Sequence, residues 1–169
     1  MKFSLSVKDI EGSHDKLHRF HEGYTQYFLT KTRDMAIQSY QYLHGKLIGK
    51  GRGSMCSYAK EVPDCNNQSL QHFVSNSLWK HQPVLDHIQR DVNEAIGDSE
   101  HGSIHVDECC FPKQGNESVG VKRQYCGRLG KTANCQVGVF LAYAKDCNRT
   151  LIDERLYLPE EWIPDKDRR

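Results

Sequence analysis

The sequence predicts an α+β fold in which a helical region precedes a short series of antiparallel strands. Three observations carry that reading. Through residues 17–96, apolar side chains recur at steps of three and four, the spacing of one helix face. Beyond Gly97 the spacing gives way to short runs rich in Val, Ile, Tyr and Cys, separated by Pro, Gly and Asn, as strands and their turns are. Between the two regimes lies a polar connector, GDSEHGS.

In the first region, Leu17, Phe20, Tyr24, Tyr27 and Phe28 mark one helix face. Thr32 is a candidate cap for a second helix, whose apolar positions are Met35, Ile37, Tyr40, Leu43 and Leu47. The glycines of GKGRG, residues 49–53, should end it. Ser54 then caps a short helix, MCSYAKEV, which stops before Pro63. DCNNQSLQHFVSNS supplies a turn and a further short helix. Two short helices about a tight polar turn, residues 54–76, permit a helix-turn-helix reading, with Asn67, Gln68, Gln71 and His72 able to reach base edges. Pro83 suits the first turn of a last helix, with Leu85, Ile88, Val92 and Ile96 on one face and Gly97 at its end.

In the second region the strands are expected in IHVDECC, SVGVKRQYCG, NCQVGVFLAYA and TLIDERLYLP. Gly115-Asn116 marks a hairpin between the first two, and KTAN the next reversal. Along the first strand, His105 and Asp107 share one face and Val106 and Glu108 the other. Asp107 is read at the strand's end, where a carboxylate beside open space suits a hard-metal ligand.

Composition narrows the function classes. Lys and Arg number 23 against 22 Asp and Glu, a net charge of +1. That balance hides two basic stretches. Lys31, Arg33, Lys46, Lys50, Arg52 and Lys60 are interrupted by one acid, Asp34; Lys113, Lys122, Arg123, Arg128 and Lys131 by one, Glu117. Such stretches fit a polyanionic partner or ordinary solvated faces. No apolar run approaches the ~20 residues that span a bilayer, and the N-terminus lacks a signal-peptide core, so a soluble cytoplasmic protein is expected. The seven cysteines include no C-x-x-C pair. A zinc site from Cys109, Cys110, Cys126 and Cys135 is conceivable, but paired ligands at close spacing are absent; reduced, mostly buried thiols are the plainer reading.

Two motifs then point further. VDECCFPKQGNESVGVKRQYCGRLGKTANCQVGVFLAYA and LIDERLYLPEEW, within residues 104–163, resemble the start of the catalytic domain of the DDE-superfamily endonucleases, the insertion-sequence transposases. GKGRGSMCSYAKEVPDCNNQSLQHFVSNSLW resembles the helical region before that domain. The resemblance implies a DNA-contacting helical region over residues 1–97. It also implies the opening antiparallel strands of an incomplete ribonuclease-H-like domain over residues 103–169.

The resemblance places the first catalytic carboxylate on Asp107, as a ligand bridging two divalent metals, Mg²⁺ or Mn²⁺, about 4 Å apart. It implies DNA at transposon ends as partner, and a homodimer for the complete enzyme. Lys122, Arg123, Arg128, Lys131, Lys50 and Arg52 are the candidate DNA-binding residues, the strand residues holding the phosphate backbone near Asp107. Glu108-Cys109-Cys110 stands where many relatives carry a small residue and glycine. In the family the second Asp and the final Glu lie downstream of the LYLPEEW motif, so Asp153, Glu154, Glu160 and Glu161 are read as solvated charge. The chain is therefore expected to be a truncated fragment that holds Mg²⁺ weakly and is inactive alone. The alternatives are a non-catalytic DNA-binding product and a decayed gene product.

Overall fold

The computed structural model describes residues 7–49 and 53–165, with side chains from Gly12 onward. Five α-helices precede four β-strands among these residues, which bears out the α+β reading. The chain divides into two compact units, residues 1–84 and 85–169. Among the described residues no helix is long and apolar enough to cross a membrane.

In the first unit, α1 spans Val7–Glu22 and a 3₁₀ turn follows at Thr25–Phe28. The apolar spacing from Leu17 to Phe28 thus belongs to two elements, broken around Gly23. Helix α2 spans Ala36–Ile48. Thr32 does not cap it: the Ala36 N–H donates to Asp34 Oδ1 at 2.8 Å. The carboxylate lies two residues ahead of that N–H, the reach an Asx turn needs. Helix α3, Met55–Glu61, opens on Ser54 as expected, with a reciprocal capping box to Ser57. Helix α4, Asn67–Ser75, opens on Asn66, whose side chain accepts from the N–H groups of Gln68 and Ser69.

The core here is aromatic. Phe28, Phe73 and Trp79 form a triangle with ring centroids 5.2–5.6 Å apart. The Trp79 indole N–H donates to the Phe73 carbonyl at 3.1 Å, so the polar end of a large apolar ring is satisfied. Leu70 is fully buried, and Tyr58, Val62 and Phe73 are buried in the same unit. Gly45 is required where α2 meets α3, because a Cβ there would lie 2.6 Å from the Tyr58 ring.

Helix α5, His81–Ile96, leads into the second unit. There β1 (Ser103–Pro112), β2 (Lys122–Cys126), β3 (Lys131–Lys145) and β4 (Asn148–Leu156) form one antiparallel sheet. The long strand β3 is central. β1 pairs along one of its edges; β2 and then β4 share the other. The expected β1–β2 hairpin is therefore absent: Gly115-Asn116 lies in a connector, and both strands pair with β3 instead. KTAN is the start of β3, and the reversal sits one step earlier, at Gly127–Gly130, where Gly130 takes a φ of +63°. Two glycines bracket that turn, and they decide its place. Trp162 is buried, its indole N–H donating to the Val121 carbonyl at 2.8 Å. The exit of α5 is fixed by Tyr143, whose hydroxyl accepts from the Asp98 N–H at 2.8 Å.

Candidate functional site

Asp107 lies in mid-strand, not at the strand's end. β1 continues to Pro112, and Asp107 sits opposite Phe140 of β3. Cys109, Cys110 and Phe111 keep the β pairing going past the acid, beyond the end expected from the sequence. The carboxylate is exposed, and its Oδ1 accepts the Glu108 N–H at 2.8 Å. His105, two residues back on the same face, bonds Ser103 Oγ at 2.9 Å.

The register sets what else faces Asp107. Side chains alternate along each strand, and directly paired residues share a face. Glu154 lies opposite Phe140 on β4, so it shares the Asp107 face with the Phe140 ring position between them. Two inter-strand steps separate the two acids, about 10 Å. The other late acids are engaged or distant. Asp153 takes the Arg155 guanidinium at 2.7 Å, and Glu161 takes the Lys122 ammonium at 3.1 Å. The one group of three or more metal-ligating side chains among the described residues is Cys110, Cys126 and Cys135, which does not include Asp107. A lone carboxylate is not a Mg²⁺ site, since the ion needs an octahedral oxygen shell. Among the described residues Asp107 joins no group of three metal-ligating side chains.

Four of the basic candidates gather on the β2–β3 hairpin. Arg123 is exposed on β2, Arg128 is exposed in the turn, and Lys131 is exposed at the start of β3. Arg123 faces Asn134, six residues along β3 from Phe140, which places it on the Asp107 face. The strand length between them is about 20 Å. Lys122 faces Cys135 on the opposite side and is held by Glu161. Lys131, opposite Cys126, shares the side of Lys122, so the hairpin presents its cations on both faces and at a distance from the acid. Lys50 and Arg52 lie outside the described residues.

In the first unit, Asn67, Gln68, Gln71 and His72 line an open groove of about 530 Å³ with Ser54, Met55, Cys56 and Asn76. Arg33 reaches the rim, its guanidinium 3.3 Å from the His72 ring. The groove is polar along the α4 side and presents amide side chains outward.

The seven thiols are all free, but only Cys110, Cys126 and Cys135 are buried. Cys109, the fourth thiol of the conceivable set, projects from the opposite face and is exposed. The pair Asp98–Lys145, at 2.8 Å, was not foreseen from the sequence. Its hydrogen bond to Lys145 and the N–H groups of His101 and Glu100 hold the Asp98 carboxyl well below the usual range. No local signal joins residues so far apart; only the β3 register does.

Residues 24–169 match the family described as DDE superfamily endonuclease. The chain is also 30% identical, over 154 residues, to a probable transposase for insertion sequence element IS701 from Microchaete diplosiphon. The match takes in 89% of this chain and 40% of that relative. No solved structure matches.

Proposed function

Because this chain belongs to the DDE superfamily of endonucleases, we propose that it acts on DNA as part of an insertion-sequence transposase. In this reading Asp107 supplies one carboxylate of the divalent-metal set, and the β2–β3 hairpin holds the DNA backbone. One observation carries it: Asp107 is exposed in the middle of β1, on the same face as Arg123. Among the described residues the outer edge of β1 pairs with no strand, which leaves room beside Asp107 for further carboxylates.

When bound, divalent metals in such a set activate the attacking oxygen and stabilise the leaving one at phosphorus. What these residues do is position DNA. Arg123, Arg128 and Lys131 meet phosphates, and the ~20 Å from Arg123 to Asp107 corresponds to about six nucleotides of one strand at ~3.4 Å each. That spacing replaces the idea of cations crowded against the acid. It lets the hairpin grip the backbone to one side of the cut without neutralising the carboxylate. The amide-lined groove between α3 and α4, together with Lys50 and Arg52, is a second DNA contact in this proposal, where Gln68 and Gln71 meet base edges. Mg²⁺ or Mn²⁺ would bind weakly to Asp107 without its partners, and the chain alone would not cut.

The test pairs two measurements on the 169-residue chain. Mn²⁺ should broaden the amide signals around Asp107 in solution NMR at millimolar concentration, and Asp107→Asn should abolish the effect. Supercoiled plasmid with Mg²⁺ or Mn²⁺ should stay intact. Broadening centred away from β1 refutes the assignment of Asp107. Asp107-dependent nicking by this chain refutes the one-ligand reading.

A further inference from the structure

On the sheet face opposite Asp107, three thiols from three different strands converge. Cys110 of β1, Cys126 of β2 and Cys135 of β3 are all buried, and their sulfurs lie within 4.8 Å of one another. We propose that this cluster is a zinc site that ties the three strands together at one end of the sheet.

The geometry is a built one. Cys126 pairs with Lys131, four residues along β3 from Cys135. In a flat ribbon those two positions lie about 13 Å apart. Their sulfurs nonetheless lie within 4.8 Å of each other, and Cys110 meets the hairpin as well, its thiol 3.9 Å from the Tyr125 carbonyl. A cluster of interchangeable small apolar residues would need no such coincidence of sulfur. Tetrahedral zinc thiolates, with Zn–S near ~2.3 Å, hold their sulfurs about 3.8 Å apart. The cluster reaches that geometry by movements of about an ångström or less per thiol.

The proton and charge balance of zinc binding is simple. On binding, each thiol releases its proton to solvent as its Zn–S bond forms. Three thiolates against Zn²⁺ leave one excess negative charge. Lys122, the cross-strand partner of Cys135, shares the face of the site and is itself paired with Glu161. Among the described residues no fourth Cys, His, Asp or Glu joins the group; the Tyr125 carbonyl or a water completes the four-coordinate shell.

The buried side chains of this cluster besides the thiols amount to Val137, with Ala133 against it. A core so small gives little hydrophobic stabilisation, and a structural zinc supplies folding free energy outright. The site is separate from any metal at Asp107 in both face and chemistry, because thiolates select soft ions and carboxylates hard ones.

The test uses the 169-residue chain, purified reduced in the presence of zinc and then dialysed. Elemental analysis should return one zinc per chain. Cobalt exchanged into the site should give the intense near-ultraviolet sulfur-to-metal absorption of thiolate ligation. A triple variant, Cys56→Ser, Cys109→Ser and Cys147→Ser, should keep both signals, since those thiols are exposed. Cys126→Ser should abolish them. Because that variant also risks unfolding, a second readout uses the unaltered chain: a chelator should lower its melting temperature, and added zinc should restore it. Three reduced thiols with no retained zinc, a disulfide between any two of them, or full zinc content in Cys126→Ser would each overturn the proposal.

Discussion

Replacing Arg123, Arg128 and Lys131 together with alanine should flatten the salt dependence of DNA binding. All three side chains are exposed on one hairpin, and no ion pair among the described residues engages them. Each phosphate that the variant no longer neutralises takes ~0.9 off the slope of log affinity against log salt, so three take off about 2.7. Across a fourfold rise in salt, from about 50 to about 200 mM, the advantage of the unaltered chain over the variant then shrinks ~40-fold. Fluorescence anisotropy of a labelled duplex, titrated at four or five NaCl concentrations, reads this directly. Lys122 provides the internal control. Its ammonium is 3.1 Å from Glu161, so Lys122→Ala should change the slope less than Arg123→Ala does. Glu161→Ala, which frees Lys122, should steepen it. A triple variant with an unchanged slope refutes the hairpin as the backbone-gripping element. A Lys122→Ala effect equal to that of Arg123→Ala refutes the masking of Lys122 by Glu161.

Two further outcomes test the packing of the helical unit. Leu70 is fully buried, so Leu70→Ala should cost about 3 kcal/mol, a fall of about 2 M in urea midpoint at ~1.5 kcal/mol per M. Leu78, 83% exposed, should shift stability by less than about 0.5 kcal/mol on the same change; circular dichroism at the helix band checks both. His21 is buried against Ser39 Oγ at 2.7 Å, and its pKa is lowered, first by burial and then by His18. The unfolded chain therefore takes up this proton more readily than the folded one. The stability contributed by neutral His21 is present above about pH 6.5 and is lost as pH falls through and below that value. Melting temperatures between about pH 7.5 and about pH 5 should show the decline, and His21→Gln should reduce it; an unchanged pH profile in His21→Gln contradicts the assignment.

How much of this was legible in the sequence follows from how local each determinant is. Ser54 announces α3 because a cap and its capping box lie within four residues. The α2 start was misplaced for the same kind of reason: Asp34 and Thr32 are both competent caps, and only the path of the chain from Phe28 selects the aspartate. The four strands were legible by composition, but their order was not. Gly115-Asn116 is a fair hairpin signal, yet β3 is long enough to pair with β1 on one side and with β2 and β4 on the other. Pairing β1 with β2 directly would have left the other edge of β3 without a partner from Cys135 to Ala144. The motif around Asp107 singles it out as a candidate. Its distance from Arg123 was not legible, since that distance depends on register, which no short stretch of sequence encodes. The thiols at 110, 126 and 135 stand in the sequence as part of a conceivable set with Cys109, but their spacing has no paired-ligand pattern, and which three meet depends on strand register.

The two faces of the sheet are coupled by that register. Asp107, Phe140 and Arg123 lie on one side; Cys110, Cys135 and Lys122 lie on the other. The β-bulge in β3 pairing falls between Leu141 and Ala142, on the β4 edge, so the ladder from Lys131 to Phe140 runs without interruption. A slip of one residue between β1 and β3 would turn Asp107 toward the buried side and Cys110 toward solvent. β1 has little apolar burial to resist such a slip, since Ile104 and Val106 are 64% and 68% exposed. Its one buried residue is Cys110. A metal bound to Cys110 and to both strands of the hairpin opposes the slip that would put Phe111 opposite Val137; the opposite slip would offer Cys109 there instead. The zinc proposal thus bears on the DNA proposal without sharing its chemistry. If the site holds zinc, removing the ion should blur the position of Asp107 relative to Arg123. If the thiols are merely packed, chelators should leave that spacing untouched.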